Sequence, residues 1–321
     1  MNTDQNRVLL HRAVPFAMAM LLLALTGLPA SAIFGREKAA VPAADAGAPI
    51  AQSMELRVYR GIPYTGTLTA IDRKGGEVSF AIAEEPAKGT VTLDGDTFVY
   101  TSEGNKTGAD SFTYTAADAE GNTSAPATVR ITIVRAKCGV TYDDMARSAA
   151  YTAAVDLAEH GVFVGASFGG RRFFEPERTV SRAEFVAMAL ACAGIPAGDL
   201  TMTGFCDDAD IPTWAKGCAV SALQCGLIRG VGTEGGMAFC AQEGVTLAEA
   251  ATVLDRLLRV TDADLSGFDA ESADAWSAQA VANLESVRII ASGSFASGDR
   301  QRPLTRGEAA QLLSAAMTLA E

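Results

Sequence analysis

Histidine is nearly missing from this chain: it has two, His11 and His160. A zinc site or a Ser-His-Asp arrangement would have to lean on His160 alone once an N-terminal export segment carrying His11 is removed. His160 falls where a helix C-terminus is expected, a position that favours a cation on electrostatic grounds alone. The six cysteines contain no Cys-x-x-Cys pair, which also argues against zinc. Basic residues are outnumbered, 26 against 38, for a net charge of -12. That balance disfavours nucleic acid and anionic membrane as partners, so an anionic ligand would need a local cationic site. No apolar run reaches the ~20 residues that span a bilayer, so no transmembrane segment is expected in the mature chain.

What is present begins with an export pattern. Arg7 and Arg12 precede a short apolar core, Ala13 to Thr26, and Ala30-Ser31-Ala32 has the form of a cleavage site. Residues 1–32 are expected to be a signal peptide, which makes the product secreted. Residues 33–53, rich in Ala, Pro and Gly, read as a flexible linker.

From 54 to 135 the apolar residues follow period two. Leu56 and Val58, Val78, Phe80 and Ile82, Val91 and Leu93, Phe98 and Tyr100, Phe112 and Tyr114, and Val129, Ile131 and Ile133 alternate with polar neighbours. Turn signals such as Gly75-Gly76, Asp94-Gly95-Asp96 and Glu120-Gly121-Asn122 separate them. The pattern predicts an antiparallel, Ig-like β-sandwich. Pro86-Ala87-Lys88-Gly89-Thr90-Val91, Phe98-Val99-Tyr100 and Gly108-Ala109-Asp110-Ser111-Phe112-Thr113-Tyr114 resemble bacterial cadherin-like or Ig-like repeats of surface proteins. That family often carries acidic calcium loops. Here the matching turn, Asp72-Arg73-Lys74-Gly75-Gly76-Glu77, puts two cations where oxygen ligands would be needed, which argues against a metal. No cofactor is expected, and a plain spacer is the simplest role for this domain.

After residue 138 the spacing becomes helical and a repeat emerges. Ser181-Arg182-Ala183-Glu184, Thr246-Leu247-Ala248-Glu249 and Thr305-Arg306-Gly307-Glu308 each place Glu three residues after a hydroxyl, just before an apolar run. This is the capping-box pattern, with the hydroxyl accepting from the N–H of the Glu and the Glu reaching back to the N–H of the cap residue. Glu184, Thr246, Glu249 and Glu308 therefore have a structural reading as helix caps. Three capped starts divide the chain into units 138–198, 202–262 and 265–321. Each opens with an aromatic and an acid (Tyr142-Asp143-Asp144, Phe205-Cys206-Asp207-Asp208, Phe268-Asp269), followed by Tyr151, Trp214 or Trp276.

The ordered set of aromatic-x-Asp, Trp, Gly-x-x-x-Gly, Phe-x-Pro and Thr-Arg-Ala-Glu resembles the S-layer homology module, usually present in three copies. The resemblance implies an all-α, pseudo-threefold helical bundle. Its inter-unit grooves would hold a secondary cell-wall polysaccharide, often pyruvylated, and fix the protein to a bacterial wall. Carried over by position, Ser181, Arg182, Thr305 and Arg306 match the motif and are the expected polysaccharide ligands. An Arg beside free N–H groups at a helix start makes an anion site suited to a carboxylate. Leu247 replaces the Arg in the second unit, so that groove is expected to be weak or silent. Trp214 and Trp276 have two readings, a sugar-stacking platform or core.

Cysteines in an exported chain invite disulfides. Cys218 and Cys225, seven residues apart on one helix, are ~10.5 Å apart and too far to bond. Cys225 with Cys240 is one pairing, and free buried thiols are the other reading. The whole chain reads as a non-catalytic, wall-attached surface protein. One rival is a protein-interaction or surface-layer assembly component. Another is a wall hydrolase, for which the adjacent carboxylates Asp207-Asp208 and Glu84-Glu85 do not establish the spaced pair that glycoside hydrolysis needs.

Overall fold

The computed structural model describes residues 47–146, 148–265, 276–290 and 300–320. The chain divides into two compact units, Met1–Val41 and Pro42–Glu321, and the described residues all lie in the second. The export segment, most of the linker, and Phe268-Asp269 fall outside them.

The alternating segment folds as two packed sheets. One has strand order β2-β9-β8-β5, from β2 (Met54–Tyr59), β5 (Ser79–Glu84), β8 (Gly108–Ala117) and β9 (Ala127–Val134). The other runs β3-β7-β6, from β3 (Tyr64–Thr67), β6 (Gly89–Asp94) and β7 (Thr97–Ser102). A short ribbon joins β1 (Ile50–Ala51) to β4 (Ala70–Ile71). Inward residues of both sheets, including Phe98, Tyr100, Phe112, Tyr114, Val129 and Ile131, form one buried core. Each such side chain contributes roughly 1.5–3 kcal/mol by leaving water. One pairing departs from the antiparallel expectation: β2 and β9 run parallel, from Met54 opposite Val129 to Tyr59 opposite Val134. The intervening strands cross to the second sheet and return, which brings the first and last long strands side by side.

The Gly-Ala-Asp-Ser-Phe-Thr-Tyr string has a packing reason. The Asp110 carboxylate accepts from the N–H groups of Ala87 (2.9 Å) and Lys88 (3.0 Å) and from the Tyr100 hydroxyl (2.8 Å). It pins the turn that leads into Gly89. There, a Cβ would sit 2.5 Å from the Thr101 carbonyl, so only glycine fits. At the turn that matches the family's calcium loops, the Lys74 ammonium lies 3.0 Å from Glu120 and 3.7 Å from Asp118.

Among the described residues six α-helices follow: α1 (Tyr151–Glu159), α2 (Arg182–Cys192), α3 (Thr213–Gln224), α4 (Leu247–Leu258), α5 (Ala278–Ser286) and α6 (Arg306–Ala320). Both halves of the capping box form at Ser181/Glu184 and Thr246/Glu249. The same two bonds link Thr305 and Glu308. Between the paired helices lie hairpins where the sequence pattern suggested only a loop: β10 (Ala166–Phe168) with β11 (Arg171–Phe173), and β12 (Val231–Thr233) with β13 (Gly236–Ala238). His160 caps the C-terminus of α1, its Nδ1 2.8 Å from the Asp156 carbonyl.

The helices are joined in a cycle. α2, α4 and α6 touch one another; α3 packs on α2, α5 on α4, and α1 on α6. Each opening helix thus rests on the closing helix of the preceding unit, and the first returns to the last. Three backbone hydrogen bonds repeat the cycle at the centre. Val180 N–H donates to the Leu304 carbonyl (3.0 Å), Leu304 N–H to Val245 (2.8 Å), and Val245 N–H to Val180 (2.9 Å).

The sandwich and the helices meet at Asp156, a buried acid on α1. Its Oδ1 accepts from the Tyr59 hydroxyl (2.6 Å) and Arg57 Nη1 (3.0 Å), and its Oδ2 from the Ser314 hydroxyl on α6 (2.6 Å). Asp156→Ala is expected to destabilise the protein by about 2–3 kcal/mol, against about 1 kcal/mol for Tyr59→Phe, in urea midpoints. Equal midpoints for wild type and Asp156→Ala would show that the junction carries no load.

A second acid gives a pH prediction. The carboxyl of Asp208 is lowered to about 2, chiefly by the Lys216 ammonium at 2.6 Å and then by the N–H and hydroxyl of Thr203. A folded-state value below the unfolded one supplies stability above roughly pH 4 that is lost as pH falls toward 2. Asp208→Asn should flatten the acid limb of the urea midpoint in that window, and an unchanged slope would contradict the assignment.

Candidate functional site

The two motif arginines are not open to a ligand. Arg182, the first residue of α2, reaches into the second unit. Its Nη1 donates to the carbonyls of Phe239 (2.9 Å) and Cys240 (3.3 Å), and its Nη2 lies 2.5 Å from Glu249 and 3.6 Å from Glu243. Only 12% of the side chain is exposed. Arg306 does the same from the third unit to the first. Its Nη1 donates to the Phe174 carbonyl (2.7 Å) and Glu175 (3.1 Å), its guanidinium lies 5.0 Å from the Phe163 ring centre, and 5% of it is exposed.

The helix N-termini are occupied as well. The N–H groups of Arg182 and Ala183 donate to the carbonyls of Glu243 and Ala241, and those of Arg306 and Gly307 to Arg178 and Pro176. The expected cradle of free N–H groups beside a free guanidinium is therefore corrected. Neighbouring units fill it with their own carbonyls and carboxylates, and Ser181 and Thr305 spend their hydroxyls on the caps. Glu249 serves twice, as cap and as partner of Arg182.

The loops that receive these arginines are held by the repeated acids. Asp144 accepts from the N–H groups of Phe174 (2.9 Å) and Glu175 (2.7 Å), and Asp207 from those of Phe239 (2.8 Å) and Cys240 (2.7 Å). Glu175 and Cys240 both sit at φ 56°, a left-handed conformation that costs a non-glycine residue ~1–2 kcal/mol. Asp207 and Asp208 thus have separate structural partners, with no shared cleft. All six cysteines are free, so the Cys225–Cys240 pairing is corrected too: Cys225 lies exposed at the C-cap of α3, while Cys240 is tied into the clamped loop. Burial pushes the Cys192 thiol up to about 12. Among the described residues, no group of three or more His, Cys, Asp or Glu could hold a metal ion.

Open space lies instead at two clefts between units. The first, about 360 Å³, is lined by Arg178, Thr179, Ser181, Glu184, Trp214, Gln242 and Gly244. Arg178 donates to Glu184 at 2.8 Å. The second, about 540 Å³, lies on the second unit, bordered by Arg182, Phe185 and Val186 of the first and Trp276 of the third, and is lined also by Ile228, Arg229, Phe239, Glu249, Val253 and Arg256, among others. The tryptophans are exposed, Trp214 by 58% and Trp276 by 56%, which decides against the core reading for both. Leu247 is packed against the core, and the second unit has no arginine at that position. Its cleft nonetheless holds two cations the motif did not mark. Arg256 donates to the Leu227 carbonyl (2.9 Å), and its pKa is lowered by burial and then by the charge of Arg229. Arg256 sits in the last turn of a helix, a position that by sequence reads as a favourable solvated cation, which is why it was missed.

The chain's similarities to known proteins divide along the same boundary. No curated protein matches the chain. Solved structures match over parts of it. An endo-fucoidan hydrolase of glycoside hydrolase family 107 is 19% identical over 28% of this chain and 14% of its own, with a TM-score of 0.25. The sialic-acid-binding region of a Streptococcus sanguinis adhesin is 20% identical over 30% and 31%, with a TM-score of 0.23. A fibronectin(III)-like module of Clostridium thermocellum CbhA is 17% identical over 27% of this chain and 100% of its own, with a TM-score of 0.19. At these scores none bears on function, and the chain spans only about a seventh of the hydrolase. No S-layer homology module is detected by family comparison. Residues 39–135 match the bacterial cadherin-like domain, and this portion of the chain is a domain of that family.

Proposed function

We propose that the protein is a non-catalytic, secreted surface protein that attaches to a bacterial wall. In this reading the helical part is a set of three S-layer homology modules, and its inter-unit clefts hold an anionic secondary cell-wall polysaccharide. The cadherin-like domain is the portion displayed. The observation that carries the reading is the pair of clefts, each with an exposed tryptophan beside cationic side chains. A flat ring offers a sugar its apolar face, and guanidinium groups supply the charge that an acidic chain otherwise lacks. The cyclic packing of three helix pairs supports the three-module reading. The motif arginines become inter-unit struts, and the ligand cations become Arg178, Arg229 and Arg256.

The rival is a component that binds other surface proteins. Exposed Phe168 and Met202 favour it as sites of apolar contact. Pull-down of the full chain on purified sacculi separates the two. The expected result is retention on intact walls, loss on polysaccharide-stripped walls, and at least about fivefold weaker retention for Trp214→Ala combined with Trp276→Ala, roughly 1 kcal/mol for a lost ring contact. Both rings are solvent-facing, so the variant should fold. Full retention on stripped walls would overturn the polysaccharide reading in favour of a protein partner.

A further inference from the structure

The hairpin β10–β11 carries an exposed apolar tip that its own fold does not use. Phe168 is 82% exposed, the most open large apolar side chain among the described residues. It ends β10 and faces Arg171 across the turn Gly169-Gly170, where φ is 58° and 77°. Two left-handed residues in a two-residue loop make a type I′ turn, which holds the tip in one geometry. Arg171 pairs with Asp143 yet stays 67% exposed, and Arg172 donates to the Val164 carbonyl at 3.4 Å. The tip is thus aromatic and cationic in a chain of net charge -12. The hairpin itself requires neither property, since the matching one in the second unit has Thr233 and Gly236 at these positions.

A surface of opposite character lies on the sandwich. β5 ends one sheet and β6 the other, and a groove of about 710 Å³ is lined by residues of both edges. Val78, Phe80 and Leu93 line it beside Glu77 and Asp96. Lys74, the cation nearby, is taken by Glu120 and Asp118, so neither Glu77 nor Asp96 has an ion-pair partner among the described residues. The opposite edges, β2 and β3, line a cleft with α1 and α6. Three strand spacings, roughly 14 Å, separate β2 from β5. The groove therefore faces away from the chain's own helices. Acids along a sheet edge discourage pairing with most chains. A cationic apolar tip meets attraction there instead.

We infer that this groove receives the β10–β11 hairpin of a second copy of the chain, with Phe168 entering beside Phe80 and Leu93 and Arg171 and Arg172 against Glu77 and Asp96. Aromatic and arginine side chains are the residues that carry most of the energy of such contacts. The two halves are different surfaces, so the contact is heterologous and adds copies head to tail. The inference goes beyond wall attachment and does not rest on it, since neither surface includes a tryptophan cleft.

A contact made by one hairpin is small, so a dissociation constant on the order of 100 µM is expected. Sedimentation equilibrium of the exported chain reads it, with all six cysteines kept reduced so that no disulfide contributes. At about 300 µM the weight-average mass should exceed the monomer's by at least about 1.5-fold. Phe168→Ser removes the tip, and Glu77→Lys with Asp96→Lys reverses the groove. Each variant alone should stay monomeric at that concentration, with an unchanged urea midpoint. Mixed in equal amounts they should form one-to-one dimers and nothing longer, because each retains the half that the other lacks. That dimer also shows that both variants fold. Glu77→Lys alone, a milder change at an exposed residue, should weaken association at least threefold. A monomeric wild type, association of Phe168→Ser equal to wild type, or a mixture that stays monomeric would each overturn the contact.

Discussion

The helical half of this protein depends on three backbone hydrogen bonds that close on themselves: Val180 to Leu304, Leu304 to Val245, Val245 to Val180. The residues they join are 59 to 124 positions apart in sequence, and each immediately precedes a cap residue. The ring therefore fixes where three helices begin. Once those starting points are held together, the first N–H groups of α2 and α6 face carbonyls of a neighbouring unit instead of water. Groups that every helix leaves unpaired become the joints between units.

The fate of the motif arginines follows from that geometry. A guanidinium at the first helical position of a joined unit has carbonyls of another unit within reach and a glutamate of that unit beside them, the cap residue Glu249 for Arg182 and the loop residue Glu175 for Arg306. Arg182 and Arg306 take those partners, and burial excludes water from the result. Removing either partner of such a pair strands a buried charge, so these arginines specify how units dock. An anionic ligand of the kind proposed would have to find its cations further out, on side chains that the ring does not consume. Arg229 and Arg256 meet that condition; Arg178 meets it in part, since Glu184 shares it.

Much of this was legible in the sequence, and the parts that were not share one cause. Alternation at Phe112-Thr113-Tyr114 and Val129-Arg130-Ile131 reveals the sandwich because a strand's faces are a local property. The capping boxes are likewise local, three residues from hydroxyl to Glu. The hairpins escaped because strands of three residues are too short to show a period, although Gly169-Gly170 and Gly235-Gly236 mark their turns. The parallel pairing of β2 with β9 and the partners of Arg182, 57 to 67 residues away, are tertiary facts. Arg229 and Arg256 come together only because α4 packs past the Leu227 carbonyl, 29 residues earlier. No spacing rule reports such an encounter.

The junction at Asp156 limits what the cadherin-like domain can be. A spacer on a free tether would share no buried polar group with its neighbour. Here one carboxylate binds the sandwich through Tyr59 and Arg57 and the last helix through Ser314, while itself belonging to the first. That is the place where the helical cycle closes, α1 against α6. The cycle has no covalent link at this seam, so opening it would expose the cores of both helices and strand the acid. The sandwich contributes two of the three donors that hold the acid in place. The sandwich and the helical cycle are therefore joined through one acid, Asp156, that both require.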